Sequence, residues 1–210
     1  MTVEEAQLAG QIVSRETMQA LREFEALVRH WTPAINLISK SSVPAMWERH
    51  IVDSAQLFAL CPLGAGLWLD IGSGAGFPGL VIAIMAKEAR PQMKVTLVES
   101  DARKSTFLRH AAKSLGLDVN VISERAESLP AMQANVLSAR ALAPLTNLLP
   151  FAVQHLAPDG VALFPKGARH ADEVATARQD WRFDLESHAS LSESDAAILM
   201  IRNIERAKQD

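Results

Sequence analysis

The stretch Leu69-Asp70-Ile71-Gly72-Ser73-Gly74-Ala75-Gly76-Phe77-Pro78-Gly79 constrains the fold more than any other part of the chain. An apolar run, Leu67–Ile71, ends at its first glycine, and an apolar helical stretch begins near Pro78. Three glycines at alternate positions let a backbone turn tightly and approach a ligand with no Cβ in the way. A strand that feeds such a turn and then a helix belongs to an open parallel α/β sheet. In that architecture the ligand crevice lies beyond the carboxyl ends of the strands, and the helix N-terminus adds free N–H groups and a positive dipole end.

The sequence around this turn fits the same architecture. Residues 1 to about 60 read as helices only. Ser14 is placed to cap a helix with Met18, Leu21, Phe24, Leu27, Val28 and Trp31 on one face, broken at Pro33. A second helix starts near Ser42 with Pro44 in its first turn, runs through Trp47, Ile51 and Leu57, and ends before Pro62. From Leu67 onward, short apolar runs at 67–71, 94–99, 119–123, 135–139, 161–165, 182–187 and 198–203 alternate with helical stretches at 77–89, 102–115, 145–156 and 168–180. Such alternation predicts a mostly parallel sheet with helices on both faces. The link between the last two strands, 191–195, is too short for a helical crossover, so these form an antiparallel pair at one edge. We therefore expect two units, an N-terminal helical segment over 1–62 and an α/β domain over 63–210. Trp31, Trp47, Trp68 and Trp181 read as core.

Composition narrows the function classes. The formal net charge is −3, from 21 basic and 24 acidic residues, so a blanket nucleic-acid coat is excluded but a local basic face is not. The longest apolar candidate for a membrane span, 80–86, falls far short of the roughly 20 residues a bilayer requires. The start, Val3-Glu4-Glu5, is too acidic for a signal peptide. The single cysteine, Cys61, excludes an internal disulfide and fits a reducing, cytoplasmic setting. It lies between Leu60 and Pro62 with no partner for thiolate chemistry.

The glycine turn admits two ligand classes. Read from Gly74, it matches the dinucleotide fingerprint G-x-G-x-x-G, and Glu99, twenty residues after Gly79, suits a ribose-binding carboxylate of either a nicotinamide or an S-adenosylmethionine enzyme. Two details favour the second. Counted from Gly72, the glycine at the strand end, the third glycine position holds Phe77. Two residues before Gly72 stands Asp70, a carboxylate suited to the ammonium of a methionine moiety and repulsive to a pyrophosphate.

These residues resemble the small-subunit ribosomal RNA methyltransferase G family, also called glucose-inhibited division protein B. Beside the glycine turn, Asn36-Leu37-Ile38-Ser39 and Arg49-His50-Ile51-Val52-Asp53-Ser54 resemble its N-terminal signature. Glu124-Arg125-Ala126-Glu127, Ser138-Ala139-Arg140-Ala141 and Phe164-Pro165-Lys166-Gly167 resemble its later motifs. The match runs in order from about Trp31 to Gly167. Ile38 stands where the family usually has threonine, and Asn135 where it usually has an acid. Past Gly167 no motif is recognised.

The resemblance implies a Rossmann-like class I S-adenosylmethionine-dependent methyltransferase that modifies guanine N7 in 16S ribosomal RNA, position 527 in the family. It places the cofactor at Gly72, Gly74, Phe77, Ala126, Glu127 and Arg140, with Asp70 and Glu99 beside them. Arg140, His50 and Asp53 become candidate orienting residues. Arg49, Arg103, Lys104 and Lys166 become candidate contacts to RNA, and no metal is implied. The partner would be 16S ribosomal RNA, a small subunit or an assembly intermediate, met by a monomer. A methyltransferase of a small molecule or a protein is the alternative, with a nicotinamide dehydrogenase or a non-catalytic scaffold behind it.

Overall fold

The computed structural model describes residues 5–62 and 64–207; Val3 and Glu4 of the acidic start, and Leu63 at the expected boundary, lie outside them. The chain opens with a small antiparallel hairpin, β1 (Glu5–Leu8) and β2 (Gln11–Ser14), where only helices were expected. Four-residue strands are too short to set a period, and the turn is carried by Ala9 and Gly10, both at positive φ. The helix α1 (Arg15–Ile35) then starts as expected, with the Ser14 side chain accepting from the Thr17 N–H at 3.1 Å. It does not break at Pro33. It runs two residues further, to Ile35, and is capped by Asn36, whose left-handed backbone sends its N–H to the Thr32 carbonyl.

The second helix also differs from expectation. A short 3₁₀ turn at Lys40–Ser42 comes first, capped by Ser39, and a π-helical turn at Trp47–Val52 then leads into α2 (Asp53–Leu60). Pro44 thus precedes the helix instead of opening it. The wider π turn carries Arg49 and His50, and such turns are frequent where a helix must aim side chains at a site.

The remaining elements follow the expected alternation: β3 (Leu67–Ile71), α3 (Gly79–Ala89), β4 (Lys94–Val98), α4 (Ala102–Ser114), β5 (Val119–Ile122), β6 (Ala134–Ser138), α5 (Leu145–His155), β7 (Leu156–Lys166), α6 (His170–Asp180), β8 (Trp181–Ala189) and β9 (Ala197–Arg206). The seven-stranded sheet has the order β5-β4-β3-β6-β7-β9-β8. Strands β5, β4, β3, β6 and β7 are parallel, and the antiparallel β8–β9 pair completes one edge, with β9 the reversed strand set between β7 and β8.

Strand β3 alternates its side chains between two apolar layers. Trp68 packs with α1, α3 and α4, and Leu69 and Ile71 pack with α5 and the β9 layer. Each fully buried Leu or Ile here contributes about 1.5–3 kcal/mol. Leu21, Phe24 and Val28 of α1 share the first layer with Leu80 and Phe107, so the N-terminal helices and the sheet are joined by one core. Trp68 and Trp181 are buried as expected. Trp31 and Trp47 are half-buried, Trp47 beneath the Arg22 guanidinium at 3.4 Å and Trp31 against Phe107. Cys61 is buried, and its burial pushes the thiol up, away from nucleophilic chemistry. No helix among the described residues is long and apolar enough to cross a membrane.

The sheet order places a switch point between β3 and β6. From β3 the chain steps outward to β4 and β5, then returns to lay β6 on the other side. The two loops leaving β3 and β6 diverge there and leave a crevice between them.

Candidate active site

The floor of the crevice is tied down by two carboxylates. Gly72 takes φ +65°, and the turn it opens folds over Asp70, which is fully buried. Asp70 accepts from the Ser138 hydroxyl at 2.7 Å and from the Gly79 N–H at 3.3 Å. That second contact requires glycine at 79, because a Cβ there would stand 2.8 Å from the Asp70 carboxylate. Burial pushes the Asp70 carboxyl up to about 6, against hydrogen bonds from Ser138, Ser73 and Gly79 that favour its charge. In this structure the Asp70 side chain, expected at a ligand ammonium, lies beneath the turn and fastens β3 to β6 and to α3, within electrostatic reach of Arg140. The alternation that puts Leu69 and Ile71 on one face of β3 puts Asp70 on the other, toward α3.

Glu99 follows β4 directly. Its Oε2 accepts from the Gly74 N–H and its Oε1 from the Asp101 N–H, both at 2.8 Å. Each oxygen of a carboxylate has a second acceptor site, so Glu99 pins the glycine turn and keeps capacity for ligand hydroxyls. Asp101, and not Glu99, caps α4.

Two cavities meet above the turn, both lined by Gly72, Leu142 and Ala143. The smaller, about 360 Å³, runs between Val98 and Ser100 on one side and Glu124, Ala126 and Glu127 on the other. Ala126 is buried and its carbonyl accepts from Nε2 of His155, itself fully buried at the end of α5. The sequence reading missed His155, because nothing local to α5 indicates that its ring reaches the loop after β5. Glu127 is exposed, with no capping bond on the short helix Ala126–Ser128.

The larger cavity, about 820 Å³, is bounded by the family's N-terminal signature, the loop after β6, and the turn between β8 and β9. Its wall is a stack on Phe77, a buried residue packed on Phe24 below. The His50 ring lies 5.0 Å from the Phe77 ring at 19°, and the Arg140 guanidinium 5.2 Å from it. Arg140 donates from Nη1 to the Arg49 carbonyl at 3.0 Å and to Asp53 Oδ2 at 3.4 Å. Asp53 is held in turn by Gln56 and by Ser192 of the β8–β9 turn. Both nitrogens of His50 are shielded from solvent and have no hydrogen-bond partner. Burial, with Arg140 and Arg49 nearby, lowers its pKa to about 3, so the ring is neutral. The contribution of residues 190–193 to this wall was missed from sequence, since that segment carries no motif.

Leu142 sits where the cavities meet. A Cβ on Gly72 would stand 2.6 Å from its Cδ1, and the φ of +65° at Gly72 favours glycine; the leucine side chain forms the partition above the turn. The loop is fastened behind it by Lys166, whose Nζ donates to the Ala143 carbonyl and to Glu173, both at 2.8 Å, while Glu173 also accepts from the Leu145 N–H. The Lys166 side chain is only 8% exposed. It lines the cavity, as a contact to RNA would require, and in this structure its Nζ serves as a clasp on the crevice loop. The two candidate RNA contacts on α4 also divide. Arg103 folds back on Asp101, and Lys104 reaches the cavity. Arg49 lines the cavity and pairs with Glu193 at 3.1 Å. Asn135 lies at the far end of the strands, accepting from the N–H groups of Gly66 and Leu67, so its departure from the family acid is remote from the crevice.

At the level of fold alone, the chain is similar to a SAM dependent methyltransferase from Aquifex aeolicus, with a TM-score of 0.57, 17% identity, and coverage of 75% of this chain and 93% of that one. It is likewise similar to the SAH-bound Podospora anserina methyltransferase PaMTH1, with a TM-score of 0.59, 17% identity, and 87% of each chain covered. In sequence, it is 50% identical over 200 residues to the ribosomal RNA small subunit methyltransferase G of Cereibacter sphaeroides (strain ATCC 17029 / ATH 2.4.9), covering 95% of this chain and 97% of the relative. It is 51% identical over 194 residues to the protein of that name from Ruegeria sp. (strain TM1040), covering 92% and 94%. The family model for rRNA small subunit methyltransferase G matches residues 17–203, and the chain belongs to that family.

Proposed function

We propose that this chain transfers a methyl group from S-adenosylmethionine to N7 of a guanine in 16S ribosomal RNA. The observation that carries the reading is the pair of cavities meeting over a glycine turn at the sheet's switch point, in a chain of this family. The cofactor fits the residues present. Gly74 leaves room above the turn, Gly72 is covered only by the exposed Leu142 side chain, and Glu99 keeps acceptor capacity for ribose hydroxyls. The cavity by Ala126 and Glu127 suits the adenine, and the larger cavity beyond Leu142 suits the target base.

When bound, S-adenosylmethionine supplies an electrophilic methyl group. Guanine N7 carries an in-plane lone pair and no proton at neutral pH, so no side chain has to remove one. The residues are disposed accordingly. His50 is neutral and Asp53 is engaged by Arg140, Gln56 and Ser192, so neither stands ready as a base. Arg140 and the Phe77 platform orient the base, Leu142 and the Lys166 clasp exclude water, and rate comes from alignment. Alignment of this kind supplies about 7–11 kcal/mol. The base must be unstacked to enter, so loop or single-stranded RNA is the expected substrate.

The test is transfer of labelled methyl from S-adenosylmethionine to small ribosomal subunits lacking the modification, with the labelled base mapped. Label on guanine N7 at one site supports the reading. No transfer, with S-adenosylhomocysteine still bound, moves the chain to a methyltransferase of another substrate.

A further inference from the structure

The larger cavity is lined by five permanent cations, Arg49, Lys104, Arg140, Lys166 and Arg169. Three of them are already committed: Arg49 to Glu193, Arg140 to Asp53 and Lys166 to Glu173. Lys104 and Arg169 are not. Neither side chain has a hydrogen bond or an ion pair among the described residues, and Arg169 is exposed. They approach the mouth from opposite sides. Lys104 lies in the first turn of α4, after β4, and Arg169 immediately before α6, after β7. Between β4 and β7 stand β3 and β6, the two strands that flank the crevice. Three strand intervals of about 4.8 Å put roughly 14 Å between those elements.

Two uncommitted cations on either side of this cavity would repel a third cation and attract an anion that reaches both. On a chain of net charge −3 they are a local exception. Within the reading of an RNA substrate, we propose that Lys104 and Arg169 hold the sugar–phosphate backbone of the RNA strand on the two sides of the target base, forming the docking rim of the site. Arg169 lies beyond the last recognised motif and had no role in the sequence reading. Phosphate contacts carry register and affinity without base specificity, so the rim fixes where the strand lies, and the residues around His50 and Arg140 receive the base.

The experiment measures binding of the full chain to small subunits lacking the modification, from 50 to 200 mM salt, for the unchanged protein, Lys104→Ala, Arg169→Ala and the double variant. Each phosphate contact in single-stranded RNA contributes about 0.7 to the slope of log affinity against log salt. Each single variant is expected to lose about 0.7 of slope and the double variant about 1.4, with affinity at the lowest salt down about fivefold per residue. Lys104→Arg and Arg169→Lys should restore most of it. Binding of S-adenosylhomocysteine, expected to be unchanged in all variants, verifies that the fold is intact. A double variant with the slope and affinity of the unchanged chain overturns the proposal, as does a loss of RNA binding that tracks loss of S-adenosylhomocysteine binding. If the unchanged chain methylates no ribosomal RNA, the substrate reading fails and the rim falls with it. If it methylates normally while the variants bind RNA normally, the rim alone is wrong.

Discussion

The two walls of the crevice are built on different principles. The glycine-turn wall is closed upon itself. Asp70 and Glu99 spend their oxygens on the Gly79, Gly74 and Asp101 N–H groups, and the wall is formed before any ligand arrives. The opposite wall is assembled from three distant segments: the π turn at Trp47–Val52, the loop after β6, and the turn joining β8 to β9. It is held by partly exposed ion pairs, and one ring, His50, has both nitrogens unpartnered. The difference matches two tasks. A small cofactor of fixed shape suits a prearranged backbone cradle. A base delivered on a large RNA suits charged groups that exchange partners as it docks.

The contrast can be strained most strongly at Asp70 and His50, whose titrations oppose each other. Asp70 titrates near 6 in the folded protein against 3.8 ordinarily, so on acidification the folded state takes up this proton first and gains stability as pH falls from about 7 toward 4. The full effect is about 3 kcal/mol. His50 titrates near 3 against 6.5, so below pH 6.5 the unfolded chain takes a proton that the folded chain refuses, and stability is lost. Urea unfolding of Asp70→Asn from pH 7 to 4.5 should therefore show stability falling with acid, and His50→Phe should show it rising. The same slope in both variants would mean that neither group is placed as described.

Next in size is the clasp. Lys166→Met removes the donor to the Ala143 carbonyl and the cation beside Glu173, which keeps only the Leu145 N–H, and should cost about 2 kcal/mol of unfolding free energy. The salt slope of RNA binding should not change, which separates a buried clasp from a phosphate contact. Smaller again is the partition. Leu142→Ala removes the side chain standing over Gly72 and should tighten S-adenosylhomocysteine binding about fivefold, about 1 kcal/mol, by calorimetric titration. Weaker binding would instead make Leu142 part of the cofactor's packing surface.

The self-contained wall was legible in sequence, because its signals are local. Glycines at alternate positions and a strand-end glutamate are each written within a few residues. What sequence missed depends on partners remote in the chain. Lys166 ends a strand at the crevice, and its clasp reaches back 23 residues to the Ala143 carbonyl. Asp70 accepts from Ser138, 68 residues on, a contact that strand pairing and not local sequence sets. Ser192 lies 139 residues from the Asp53 it supports, and His155 reaches Ala126 across two elements. The β1–β2 hairpin was missed for a different reason, since four-residue strands are too brief for periodicity to register.

The central claim is that the two walls divide the work, one holding the cofactor and the other positioning the base. Arg140 tests it most directly, since it belongs to the second wall yet faces the cavity beside Phe77 and lines the crevice loop. The measurement is a pair of constants for Arg140→Ala: the dissociation constant of S-adenosylhomocysteine, and the single-turnover rate of methyl transfer to unmodified small subunits. The expected result is a dissociation constant within about threefold of the unchanged chain and a rate lower by about 100-fold, near 2.7 kcal/mol of lost alignment. A dissociation constant that rises in step with the loss of rate would contradict the division and assign Arg140 to the cofactor.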